Sequence, residues 1–140
     1  MNFIYITAKR LLGQHLTLDE SVDKSVGCAQ ALSYVLKASG YSVPKKGIPG
    51  TVGIKAWCDK NAIPLNGPQV GAIIVSVTEG DRHGHVGVCA RYDFMYPDDF
   101  GIMSNDSRTG LWEVNWSLEE WKIYYEYKLG LQTFFYKLEI

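Results

Sequence analysis

Ala72-Ile73-Ile74-Val75-Ser76-Val77 and, past a turn at Glu79-Gly80-Asp81-Arg82, Gly84-His85-Val86-Gly87-Val88-Cys89-Ala90-Arg91-Tyr92 mark the place where this chain changes character. Both runs are short, rich in β-branched residues and bounded by turn formers, which is how strands read. Phe100 to Ser104, Leu111 to Val114 and Leu131 to Leu138 read the same way. Upstream the periodicity is helical. Ala31, Leu32, Val35 and Leu36 follow Cys28 at i+3, i+4, i+7 and i+8, and Gly40 supplies a left-handed stop. The opening segment has helical spacing to about Leu12 and closes at Gly13, and Thr17 to Lys24 reads as a polar loop. After the breakers Pro44, Gly47, Pro49 and Gly50, Thr51 is expected to cap a short helix through Trp57 and Cys58. Pro64, Gly67 and Pro68 close the helical half. Helices first and strands afterwards predict an α+β fold, with N-terminal helices packed on a C-terminal antiparallel sheet. Ser117-Leu118-Glu119-Glu120 is a capping box, so a short helix interrupts the last strands.

The totals bound the function. At 140 residues, 46% hydrophobic and 21% charged, the chain is expected to form one globular domain over residues 1–140. Fourteen basic against fifteen acidic residues give a net charge of -1, which carries no nucleic-acid footprint and no polybasic membrane patch. No run reaches the ~20 apolar residues of a membrane helix, and the N-terminus shows no secretion signal. The expectation is therefore a monomer made in the cytoplasm, with no nucleic-acid partner and no membrane insertion. Cys28, Cys58 and Cys89 form neither an even-numbered disulfide framework nor a C-x-x-C pair.

Cys28 and His85 stand out as a nucleophile and its base. A thiol at a helix N-terminus feels the positive end of the macrodipole and free N–H groups, which favour the thiolate. Strand alternation puts His83, His85, Gly87 and Cys89 on one face and Val86, Val88 and Ala90 on the other. A small Gly87 is expected to let the Cys28 helix approach His85 closely. Cys58, beside Trp57 in a helix, and Cys89, in a strand, read as packing residues. His83, on the same face, follows an exposed turn and is a minor candidate for the base, and His15 lies in the polar loop and at most lines a groove. A zinc site from His83, His85, Cys89 and Cys28 matches no common spacing, so no metal or other cofactor is expected. A residue that orients the imidazole is also required. Asn105 is favoured, with Asp106, Glu113 and Asn115 behind it, on a strand expected to pair with that of His85 through a turn at Tyr96-Pro97-Asp98-Asp99. Trp121 reads as core, whereas some of Trp112, Trp116, Tyr124, Tyr125 and Tyr127 suit a substrate groove, core packing being the reading for most of them.

These residues together resemble the papain-like cysteine peptidases and amidases of bacterial cell walls, the NlpC-type and CHAP group. The resemblance covers most of the chain: a Cys at a helix start followed by Tyr34, then Gly40-Tyr41, Gly71-Ala72-Ile73-Ile74-Val75, Gly84-His85-Val86-Gly87-Val88 and a polar strand at Ile102 to Asn105. Ser104-Asn105-Asp106-Ser107-Arg108-Thr109-Gly110, with Asn115 and Trp121, looks like small bacteriophage-encoded peptidoglycan hydrolases of the endolysin kind. Many NlpC-type members have Asp-Cys-Ser-Gly where this chain has Gly27-Cys28-Ala29-Gln30. The resemblance implies a papain-like fold, with Cys28 as nucleophile, His85 as base and Asn105 as the orienting residue. Peptidoglycan is then the substrate, cut at an amide bond as an endopeptidase or amidase would cut it. Two alternatives share the scaffold: a non-catalytic wall-binding or phage structural module, and a deamidating or acyl-transferring toxin.

Overall fold

The structure, a computed structural model, describes residues 3–91 and 99–138. Helices α1 (Phe3–Arg10), α2 (Cys28–Ala38) and α3 (Gly50–Asn61) come first. Strands β1 (Ile63–Leu65), β2 (Ile73–Ser76), β3 (His85–Ala90), β4 (Gly101–Asn105), β5 (Trp112–Ser117) and β6 (Thr133–Lys137) follow, with helix α4 (Leu118–Trp121) and a π-helix (Lys122–Lys128) before the last strand. The strands form one sheet in the order β1-β6-β2-β3-β4-β5, every pair antiparallel. This is the α+β arrangement expected, with the N-terminal helices packed on the sheet.

Alternation along β2 and β3 divides the core in two. Ile73, Val75, Val86, Val88 and Ala90 pack with Ile4 and Ala8 of α1, Leu32, Val35 and Leu36 of α2, and Ile54 and Cys58 of α3. Ile74 and Cys89 pack on the opposite face with Ile102, Leu118, Trp121 and Tyr125. The register Ile74↔Gly87 and Ser76↔His85 puts His85 on this second face, under α4 and the π-helix. Burying both faces is what a sheet with helices on either side requires, and it explains why β2, β3 and β4 are buried at every position.

Local signals account for several boundaries. Gly40 takes a φ of +95° just past α2, and the Ser117–Glu120 capping box forms in full. Thr51 behaves differently from expectation. Helix α3 begins at Gly50, and the Thr51 hydroxyl accepts from Thr78 N–H at 2.8 Å and bonds the Thr78 hydroxyl at 2.9 Å. It ties α3 to the end of β2 instead of capping the helix. Pro64 sits inside β1, which pairs only with β6 and lies at the sheet edge, where a missing N–H is tolerated. The expected turn between β3 and β4 lies, apart from Asp99, outside the described residues.

Candidate active site

Cys28 is the first residue of α2, half-buried and packed against the first core cluster. Burial pushes its thiol up to about 11, while the backbone N–H groups of Ala29, Val86 and Cys28 itself act in the opposite direction. Backbone N–H groups thus act on Cys28 in the direction of the thiolate, but desolvation outweighs them and the resting group is a thiol. The involvement of Val86 places the sulfur at the start of β3, one residue from His85.

His85 is 8% exposed. Its ring stacks on Tyr125 with centroids 5.9 Å apart and planes at 12°, and lies 5.4 Å from the ring of Trp121. Trp121 is fixed in turn by an N–H donated to the Ser76 hydroxyl at 3.0 Å, on the strand opposite His85. Burial lowers the imidazole to about 4, against a smaller upward pull from the Asp106 carboxylate. Its Nε2 is buried and has no hydrogen-bond partner among the described residues. Orphaned buried polar atoms are uncommon, and one on an imidazole at a cleft points to a ligand or a moving proton. The cleft it lines has a volume of 270 Å³ and includes Asn105, Asp106, Asn115, Trp116 and Tyr125.

The low imidazole value carries a stability prediction. The unfolded ring titrates near 6.5, so the unfolded chain takes up a proton between about pH 6.5 and 4 that the folded chain refuses. The contribution is complete above 6.5 and is lost as pH falls, by about 3 kcal/mol at pH 4. Urea unfolding followed from pH 7 to 4 is expected to show this slope in the native protein and a flatter one in His85→Gln. Equal slopes would mean a solvated ring.

The orienting candidates separate by face. Asn105 ends β4 on the α2 side: its Nδ2 donates to the Lys24 carbonyl at 2.9 Å and lies 3.4 Å from where a Cβ on Gly27 would stand. Asn105 thus braces the turn that delivers Cys28. The pairing Val88↔Met103 and Cys89↔Ile102, carried on past the end of β4, sets Asp106 opposite His85. Asp106 is buried and accepts from the Arg108 N–H at 2.8 Å, which with further bonds to Arg108 and Thr109 holds its carboxyl below the usual range. Asn115 accepts from the Ser104 hydroxyl at 2.5 Å, and Glu113 lies on β5 opposite Ser104.

Gly87 serves a different neighbour from the one expected. A Cβ there would stand 2.6 Å from the Met103 carbonyl oxygen and 2.7 Å from Ile102 Cγ2, so its smallness admits β4, not α2. His83 is exposed, and Cys58 and Cys89 are fully buried, as the sequence suggested. His15 Nδ1 bonds the Gly110 carbonyl at 2.9 Å and steadies the turn that carries Asp106. Of the aromatics that suited a groove, Trp116 and Tyr125 line the cleft and Trp112 is fully buried, a division that only tertiary packing sets. Among the described residues no three His, Cys, Asp or Glu side chains converge to hold a metal ion, and no helix is long and apolar enough to cross a membrane. Comparison of the chain with family models, with curated proteins and with solved structures finds no match.

Proposed function

We infer that the protein is a papain-like cysteine hydrolase that cleaves an amide bond in peptidoglycan, as an endopeptidase or amidase. One observation carries the inference of chemistry. A cysteine thiol at a helix N-terminus, in reach of the N–H groups of Cys28, Ala29 and Val86, meets β3 one residue along the chain from His85, a buried imidazole with an unpartnered nitrogen beside a cleft. The substrate rests on the likeness of the Gly84–Val88 segment to bacterial cell-wall peptidases and amidases and of the Ser104–Gly110 segment, with Asn115 and Trp121, to phage-encoded members of that group.

The two perturbed groups favour a neutral resting pair over a preformed ion pair. As substrate binds, His85 takes the Cys28 proton and the sulfur attacks the amide carbonyl, whose π electrons move to oxygen. The backbone N–H of Cys28, at the helix start, is the natural donor to that oxygen, a contribution of about 3 kcal/mol per donor in characterised hydrolases. The imidazolium then protonates the leaving amine, the C–N bond breaks and a thioester remains. Water, deprotonated by His85, resolves it to a carboxylate and free thiol. Asn105 and Asp106 both line the cleft. Asn105 supports the turn before Cys28, and Asp106 supplies the negative charge that favours imidazolium as it forms.

Dye release from labelled sacculi tests this reading. The native protein is expected to solubilise the label, and prior alkylation with iodoacetamide, mapped to Cys28, to stop it. Release that survives full alkylation of Cys28 would refute a thiol mechanism. No release by the native protein would favour the non-catalytic wall-binding alternative.

A further inference from the structure

The cleft beside His85 is lined by one carboxylate and several donors, and the carboxylate is already engaged. Asp106 Oδ1 accepts from the N–H groups of Arg108 and Thr109 at 2.8 and 3.4 Å, and Oδ2 accepts from Arg108 Nη2 at 3.4 Å. The donors stand differently. The Arg108 side chain is 88% exposed where it lines the cleft, and among the described residues that long contact to Asp106 is its one ion pair. An exposed pair of this length holds a guanidinium weakly, so most of its five N–H donors remain open to a ligand. Asn115 lines the same cleft from β5, and the Ser104 hydroxyl donates to its Oδ1 at 2.5 Å, which leaves Nδ2 as the donor end of the amide. The turn beneath Arg108 is fixed by its own backbone: Asp106 N–H donates to the Leu111 carbonyl at 2.9 Å and Gly110 N–H to the Asp106 carbonyl at 2.7 Å. Burial keeps His85 neutral at rest, so Arg108 supplies the positive charge of this cleft. A guanidinium and a primary amide together match a group that only accepts, and a planar carboxylate takes two N–H bonds from a guanidinium at once. A second observation points to a ligand here. His85 Nε2 is buried in the wall of the same cleft and has no partner among the described residues.

We propose that Arg108 is a specificity-determining residue, whose guanidinium, together with Asn115 Nδ2, holds a free carboxylate of the substrate in the cleft beside His85. The substrate is thereby a peptide that carries an acidic group, and its neutral amide counterpart binds less well. The proposal rests on the hydrolase reading only in calling the ligand a substrate. The carboxylate site itself depends neither on Cys28 nor on peptidoglycan. Arg108 makes and breaks no covalent bond.

The test is an NMR titration at pH 7 with two probes of one shape, N-acetyl-dialanine and its C-terminal amide, each in the L,L and D,D forms. The signals followed are the His85 ring protons and the Trp116 indole N–H, both at the cleft. In at least one stereoisomer the native protein is expected to bind the acid about tenfold or more tightly than the amide, the worth of a charge-assisted pair. Arg108→Gln is expected to bind the two equally, and Arg108→Lys, which keeps the charge but not the fork, to fall between. Asn115→Asp keeps an acceptor for the Ser104 hydroxyl and replaces the Nδ2 donors with negative charge, so the preference is expected to vanish there too. Equal affinity of the native protein for acid and amide, no shift from either, or a native preference retained in Arg108→Gln would overturn the proposal. The comparison of probes on the native protein needs no variant, so it decides even where a variant does not fold. The two readings fail separately. A native protein that prefers the acid yet leaves sacculi intact would contradict the peptidoglycan assignment and keep the carboxylate site, whereas sacculi cleared by a native protein that binds acid and amide equally would do the reverse.

Discussion

Cys28→Ala is expected to abolish clearing of sacculi in a zymogram while the protein remains folded. The side chain is half-buried at a helix start, and losing a sulfur there changes stability by about 1 kcal/mol or less. The loss of rate is of another order. Deleting a nucleophile from a cooperating set removes the whole covalent pathway, on the order of 10⁴-fold or more, and leaves only what oriented binding gives. His85→Gln is expected to fall nearly as far, because the two act as a unit and their losses do not add. Cys58→Ala and Cys89→Ala change no reacting group. Any loss they cause is expected to track thermal stability, both sites being fully buried. Clearing by Cys28→Ala at the native rate would remove the cysteine from the mechanism.

Gly84→Ala is expected to destabilise the fold more than any other substitution of comparable size. A Cβ at this position would stand 1.8 Å from the Ser76 carbonyl oxygen, 2.7 Å from its carbon and 2.9 Å from the Thr78 nitrogen. All three are backbone atoms, so no rotamer change relieves the overlap. The β2–β3 turn must open, breaking the Gly84 N–H bond to the Thr78 hydroxyl at 2.9 Å and with it the link from Thr78 to Thr51 of α3. The cost is expected to reach or exceed the upper end of ordinary over-packing, about 3 kcal/mol, which for a chain of this size lowers Tm by about 10 °C. Because His85 follows immediately, activity is expected to fall in the folded fraction too. Gly67→Ala is the control: its Cβ meets nothing within 4 Å, and its melting temperature is expected to stay within a few degrees of the native one. Matching melts for the two variants would contradict the close approach at Gly84.

Much of this was legible in the sequence, where the signal was local. The Cys28 stripe, the Gly40 stop and the Ser117–Glu120 capping box are written in consecutive residues and need no tertiary knowledge. The alternation that sets His85, Gly87 and Cys89 on one face of β3 is equally local. What the chain hides is what comes to meet those faces. Gly87 is small for the sake of Met103 and Ile102, and that depends on a register set between distant strands. Thr51 has the composition of a cap and is drawn instead to Thr78. Pro64 argues against a strand until the strand proves to be an edge. The π-helix has no signature in Lys122-Ile123-Tyr124-Tyr125-Glu126-Tyr127-Lys128, whose aromatics would suit several windings. Likewise the dipole at Cys28 can be read from position, whereas the larger desolvation that opposes it belongs to the packed fold.

The central claim is amide hydrolysis by Cys28 in the bacterial wall, and liquid chromatography with mass spectrometry of digested sacculi tests it most directly. Hydrolysis of an amide creates one new amino terminus for each new carboxylate. The native protein is expected to generate the two in equal number from a single type of linkage, and Cys28→Ala to generate neither. An unchanged muropeptide profile, or new reducing sugar ends without new amines, would contradict it.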